Sequence, residues 1–132
     1  MSRPTPDEYF GAIAQVVATR ADCTRDQVGA VIVRDGRIVS TGYNGAPAGE
    51  PGCLTAGACP RGRLTKGECA PDSSYANCIS IHAEANAILY ADYDKLKGAT
   101  IYVTRDPCHE CARLVKAAGI RRVVVTPRLA HT

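Results

Sequence analysis

The chain has 132 residues, of which 45% are hydrophobic and 22% charged, and it carries a formal net charge of +3. Such a length suits one domain with one core, since domains run ~100–200 residues, and the composition excludes intrinsic disorder and collagen-like structure. The mild positive charge permits a small anionic ligand without demanding a polyanionic partner.

Residues 6–21 form the first predicted helix. Pro6 and Asp7 suit a first turn, and Phe10, Ile13, Ala14, Val17 and Ala18 recur at helical spacing. Val28-Gly-Ala-Val-Ile-Val33 then reads as a strand, and Arg34-Asp-Gly-Arg37 as a hairpin turn built on Asp-Gly. Ile38 to Tyr43 is the returning strand. Residues 44–80 hold six glycines, four prolines and four cysteines, without sustained periodicity. A loop of that length inside one domain needs something to tie it down, and its cysteines are the expected tie. Ile81 to Ala91 is a short alanine-rich helix. Thr100 to Thr104 is a strand, Cys108 to Ala118 a helix stopped by Gly119, and Arg122 to Thr126 a final β-branched strand. The alternation of helix and strand in this half implies a parallel strand pair with crossover helices.

No apolar run nears the ~20 residues of a bilayer span. Met1 to Phe10 carries Asp7 and Glu8 and no apolar centre, so it does not read as a signal peptide. A cytoplasmic protein is expected. The seven cysteines are Cys23, Cys53, Cys59, Cys69, Cys78, Cys108 and Cys111. An odd number cannot pair completely within one chain, and a reducing compartment favours thiols that bind metal.

Two short motifs carry the chemistry. His82-Ala-Glu84 opens one predicted helix, and Pro107-Cys-His-Glu-Cys111 opens another. Cys108 and Cys111 are three apart and share a helical face. Pro107 suits the first helical position and Asp106 the N-cap, which sets both thiols at the positive end of the helix dipole and favours thiolate. With His82 they offer one nitrogen and two sulfurs to Zn²⁺. Three protein ligands leave a fourth tetrahedral position for water, whose pKa falls toward ~7 on the metal. Glu84 is placed to take that water's proton rather than to bind metal. The competing reading is a closed structural zinc knot. His109 lies about 100° round the helix from Cys108 and reads as a surface residue. His131 is expected to be inert.

H-x-E followed by P-C-x-x-C is the mark of zinc nucleobase deaminases. Gln27-Val-Gly-Ala-Val-Ile-Val33, Ser40-Thr-Gly-Tyr-Asn-Gly-Ala-Pro47 and Ile81-His-Ala-Glu-Ala-Asn-Ala-Ile88 resemble the deoxycytidylate (dCMP) deaminase family. Gly98-Ala-Thr-Ile-Tyr-Val-Thr104, the Pro-Cys motif and Ala118-Gly-Ile-Arg-Arg122 follow in the family's order, so that the resemblance covers residues 8–126. The segment Gly42-Tyr-Asn-Gly45 separates this family from tRNA adenosine deaminases.

The resemblance implies a single α/β domain over residues 1–132: a three-layer αβα sandwich on a mixed sheet, cytidine deaminase-like. It implies zinc-dependent hydrolysis of dCMP to dUMP and ammonia. Alternative substrates are a nucleoside, a nucleoside antibiotic or another amino-heterocycle, and a polynucleotide deaminase or an inactive zinc module stands further off. Asn44 matches the residue that bonds the nucleotide sugar, while the backbones of Ala83 and Pro107 lie where the base edge is read. Cys23 and Cys53 match cysteines that hold a second, structural zinc in some members, with Cys59, Cys69 or Cys78 to complete the set. Arg61 and Arg63, beside Lys66, are candidate phosphate contacts, as are Arg121 and its neighbour Arg122. A homo-oligomer is expected. One Phe and no Trp give poor support to a stacking platform for nucleic acid. Two departures stand out. Asp106 replaces the family's usual Ser, and the sequence here ends at Thr132, soon after the last predicted strand.

Overall fold

A computed structural model describes residues 2–23, 26–46 and 81–126. Helix α1 runs Pro6–Ala18. Its start is a capping box: Thr5 Oγ1 accepts the Glu8 amide at 3.2 Å, and the Glu8 carboxylate accepts the Thr5 amide at 2.9 Å. The helix ends three residues before the predicted limit. The Thr19 hydroxyl folds back on the Val16 carbonyl at 2.6 Å, and the chain turns so that the Asp22 amide reaches the Asn44 carbonyl at 3.0 Å.

Strands β1 (Gly29–Arg34) and β2 (Arg37–Tyr43) form the expected hairpin. Its two-residue loop puts Asp35 at φ 54° and Gly36 at φ 74°, the doubly left-handed geometry that Asp-Gly tolerates. The register shifts between Ile32 and Val33, so that Val39 forms a bulge. Helix α2 spans Ala83–Leu89, and a short 3-10 turn, Tyr93–Lys95, leads to β3 (Thr100–Val103). Helix α3 spans His109–Ala117 and leads to β4 (Arg122–Val125). It stops at Gly119 as expected, with φ 86°, while Ile120 and Gly119 donate to the Val115 and Lys116 carbonyls at 3.3 and 3.0 Å. That pair of bonds is a Schellman motif.

The sheet order is β2-β1-β3-β4, antiparallel except for the parallel pair β3 and β4. β1 is buried on both faces, which explains its unbroken apolar run. Val31 and Val33 face α1 together with Phe10, Ala14 and Tyr102. Ala30 and Ile32 face the other layer together with Ala83, Ala87 and Val115. The αβα layering and mixed sheet expected from the resemblance are therefore present. Two glycines let the helices close on the sheet. A Cβ on Gly29 would lie 2.1 Å from the Ala14 carbonyl oxygen of α1, and one on Gly42 would lie 2.4 Å from that of Ala83 in α2.

The strand directions gather four segments at one end of the sheet. Thr104 closes β3 onto Gly29, its amide and hydroxyl each 3.1 Å from that residue's backbone. Asn44 leaves β2 there, and Gly45 and Ile81 exchange two backbone bonds of 3.1 and 2.7 Å just before α2. The stretch 104–108 runs from the same end into α3. Among the described residues, no helix is long and apolar enough to cross a membrane.

Candidate active site

At this sheet end, His82, Cys108 and Cys111 bring one ligand atom each within 4.8 Å of one another. His82 Nδ1 lies 3.2 Å from Cys111 Sγ and 3.5 Å from Cys108 Sγ. Tetrahedral zinc, with Zn–N ~2.05 Å and Zn–S ~2.3 Å, sets its nitrogen and sulfur ligands ~3.6 Å apart. The donor atoms are spaced for such an ion, and one imidazole with two sulfurs is a borderline-soft set that suits it.

The caps differ from expectation. Cys108, not Asp106, is the N-cap of α3, and its Sγ accepts the Cys111 amide at 3.4 Å. Asp106 and Pro107 precede the helix because the residue before a proline is driven to extended backbone. Asp106 is exposed there. His82 is likewise the N-cap of α2 rather than part of its first turn.

The dipole expectation is also corrected for Cys111. Burial pushes its thiol up, and the charge of Glu84 and the neighbouring Cys108 add to the rise. A helix terminus contributes about 0.3–1 kcal/mol, which is less than the desolvation of a buried thiolate costs. A bound cation would favour the thiolate here.

Glu84, one residue into α2, is 4% exposed. Burial raises its carboxyl above the ordinary range, while its own backbone amide, His82, Cys111 and Arg105 pull the other way. A buried carboxyl beside a group of residues that could hold a metal, but outside that group, is chemically suited to proton transfer.

Asn44 is 7% exposed and holds the 26–28 segment. Its Oδ1 accepts the Val28 amide at 2.8 Å, and its Nδ2 donates to the Asp26 carbonyl at 2.9 Å. Ala83 is buried behind His82, and Pro107 is half-buried before Cys108. Cys23 is buried. His109 is exposed, as the helical wheel predicts. Arg121 is exposed at the opposite end of the sheet, where its amide bonds the Ala99 carbonyl at 2.8 Å. Arg122 is engaged with Asp7 at that end, with Nη1 3.0 Å from Oδ1. Cys53, Cys59, Cys69, Cys78, Arg61, Arg63, Lys66 and His131 lie outside the described residues.

Sequence reasoning missed Arg105. It follows Thr104 at the site end and pairs with Asp26. The two are 79 positions apart, and no local pattern announces such a pair.

Residues 4–126 match the family model described as "Cytidine and deoxycytidylate deaminase zinc-binding region". The chain belongs to this family. A deoxycytidylate deaminase of Mycobacterium phage D29 is 54% identical over 127 residues, which cover 94% of this chain and 96% of the phage protein. The deoxycytidylate deaminase of Saccharomyces cerevisiae is 38% identical and matches 94% of this chain but only 38% of its own length. Among solved structures, the dCMP deaminase of cyanophage S-TIM5 in complex with dCMP and dUMP aligns with a TM-score of 0.66 and 26% identity, over 93% of this chain and 82% of that one. Membership of this zinc-binding deaminase family agrees with the His-Cys-Cys group.

Proposed function

We propose that this chain is a zinc-dependent dCMP deaminase, which hydrolyses the exocyclic C–N bond of dCMP to give dUMP and ammonia. The observation that carries the substrate is the 54% identity to a phage deoxycytidylate deaminase along nearly the whole of both chains. The site is consistent with the chemistry. His82 Nδ1 and the sulfurs of Cys108 and Cys111 would hold the ion, which supplies the Lewis acidity that activates a water. Glu84 would take the water's first proton and give it to ring N3 as the remaining hydroxyl adds to C4, then take that hydroxyl's proton and pass it to the amine, so that the C4–N bond breaks, ammonia leaves and the carbonyl of dUMP forms. The backbones of Ala83 and Pro107 read the base edge, and Asn44 serves the sugar.

We extend the reading to a cytoplasmic homo-oligomer with no nucleic-acid partner. It includes a second, structural zinc on Cys23 and Cys53, completed by Cys59, Cys69 or Cys78. An ammonia-release assay across dCMP, CMP, deoxycytidine, cytidine and cytosine tests the activity. dCMP is expected to be turned over fastest. Faster turnover of deoxycytidine or cytidine would move the reading to a nucleoside deaminase.

A further inference from the structure

We infer that Arg105, braced by Asp26, is a specificity residue that recognises the 5′-phosphate of the nucleotide. This rests on the proposed dCMP deamination and names the group that separates nucleotide from nucleoside.

Three observations support it. The first is place. Arg105 lies three residues before Cys108, at the sheet end where His82, Cys108 and Cys111 meet. Of the other described arginine candidates, Arg121 precedes β4 and Arg122 begins it, at the opposite end.

The second is support. Asp26 pairs with Arg105, and the Asp26 backbone is fastened in turn by Asn44 Nδ2 at 2.9 Å. The Gln27 amide also donates to Asp26 Oδ1 at 2.9 Å. Asn44, Asp26 and Arg105 thus form a chain from the end of β2 to the approach of α3.

The third is exposure and charge. The Arg105 side chain keeps 57% of its surface open, as a solvent-facing phosphate at the rim of a pocket requires. A guanidinium carries five N–H donors in a planar fork. Arginine is the side chain whose planar fork matches phosphate oxygens.

The test compares kcat/KM for dCMP and deoxycytidine in the zinc-loaded wild type, Arg105→Gln and Arg105→Lys at fixed ionic strength. Loss of one charge-assisted contact predicts a fall of about tenfold to about 100-fold for dCMP in Arg105→Gln, carried mainly by KM. Deoxycytidine turnover should stay within about threefold, which also certifies that the variant is folded. Arg105→Lys should recover part of the dCMP preference. Equal losses for the two substrates, or no loss for either, would overturn the inference while leaving the deaminase reading intact. A wild type that releases no ammonia from dCMP would overturn both.

Discussion

Gly42 and Ala83 meet backbone to backbone: a Cβ added to Gly42 would sit 2.4 Å from the Ala83 carbonyl oxygen and 2.4 Å from the Ala87 amide nitrogen. Ser40, two residues earlier on β2, donates its hydroxyl to the Ala87 carbonyl at 2.6 Å. These contacts seat the start of α2 against the strand, and that start carries His82 and Glu84. The position of His82, a proposed metal ligand, thus depends on a residue with no side chain.

Gly42→Ala should therefore act on both fold and site. A methyl group forced against backbone costs about 1–3 kcal/mol, or a Tm fall of roughly 4–11 °C in a domain of this size. Zinc content at limiting metal should fall with it. Gly36→Ala is the control. At Gly36 a Cβ would meet nothing within 4 Å, and only its φ of 74° resists substitution. That strain is about 1 kcal/mol, and zinc content should not change. Equal zinc content in the two variants would show that Gly42 does not position α2.

The legible parts of this molecule were those whose cause is local. Asp35-Gly36 fixes a turn by backbone conformation, and Gly119 ends a helix in the same way. The ligand set was legible because Cys108 and Cys111 are three residues apart and Glu84 is two from His82. What the sequence concealed depends on distance or on competition. Arg105 finds Asp26 only because β1 and β3 are neighbours. Cys108 displaces Asp106 from the N-cap because Pro107 holds Asp106 outside the helix. The 3-10 turn Tyr93–Lys95 has three residues, too few for any periodic pattern.

Glu84→Gln separates proton transfer from metal binding. The amide is nearly isosteric but cannot carry the proton, so activity should drop by ~10²–10⁴-fold or more. Zinc per chain should be unchanged, because His82, Cys108 and Cys111 suffice as ligands. Metal analysis beside a dCMP assay checks both. Loss of zinc in this variant would make Glu84 a ligand.

A polar triad ties α1 to the far edge of the sheet and gives the fold its own pH signature. The Tyr102 hydroxyl donates to Asp7 Oδ1 at 2.7 Å, and Arg122 grips the same carboxylate. Burial, followed by the Asp7 hydrogen bond and charge, pushes the Tyr102 phenol up from 10.0 to about 12. A raised phenol stabilises the fold in full below pH 10, and that contribution is lost as pH climbs toward 12. The Arg122 and Tyr102 hydrogen bonds hold Asp7 below its usual 3.8. Its contribution is present above that value and is lost as pH falls through the lower folded value. Tyr102→Phe should cost about 1 kcal/mol at pH 8 and flatten the alkaline loss. Urea unfolding of both proteins at pH 8, 10 and 11 measures this. Parallel curves would assign the alkaline loss to other tyrosines.

Cys108 has two tasks that a single substitution can part. Its Sγ caps α3 by accepting the Cys111 amide at 3.4 Å, and the same atom lies 3.5 Å from His82 Nδ1 in the metal group. Serine is among the best N-cap residues, and its oxygen accepts an amide more strongly than a thiol sulfur does. Cys108→Ser should leave the Tm of the metal-free protein equal to wild type or slightly higher. A hydroxyl is a poor zinc ligand beside a thiolate, so the zinc-loaded form should lose its advantage. In the wild type that advantage grows as RT ln(1 + [Zn]/Kd), about 2.7 kcal/mol at a hundredfold excess over Kd. Scanning calorimetry with and without zinc reads the two effects separately. A metal-free Cys108→Ser protein several degrees less stable than metal-free wild type would mean that the thiol's packing, rather than its cap, holds the helix start. An undiminished zinc increment would remove Cys108 from the ligand set.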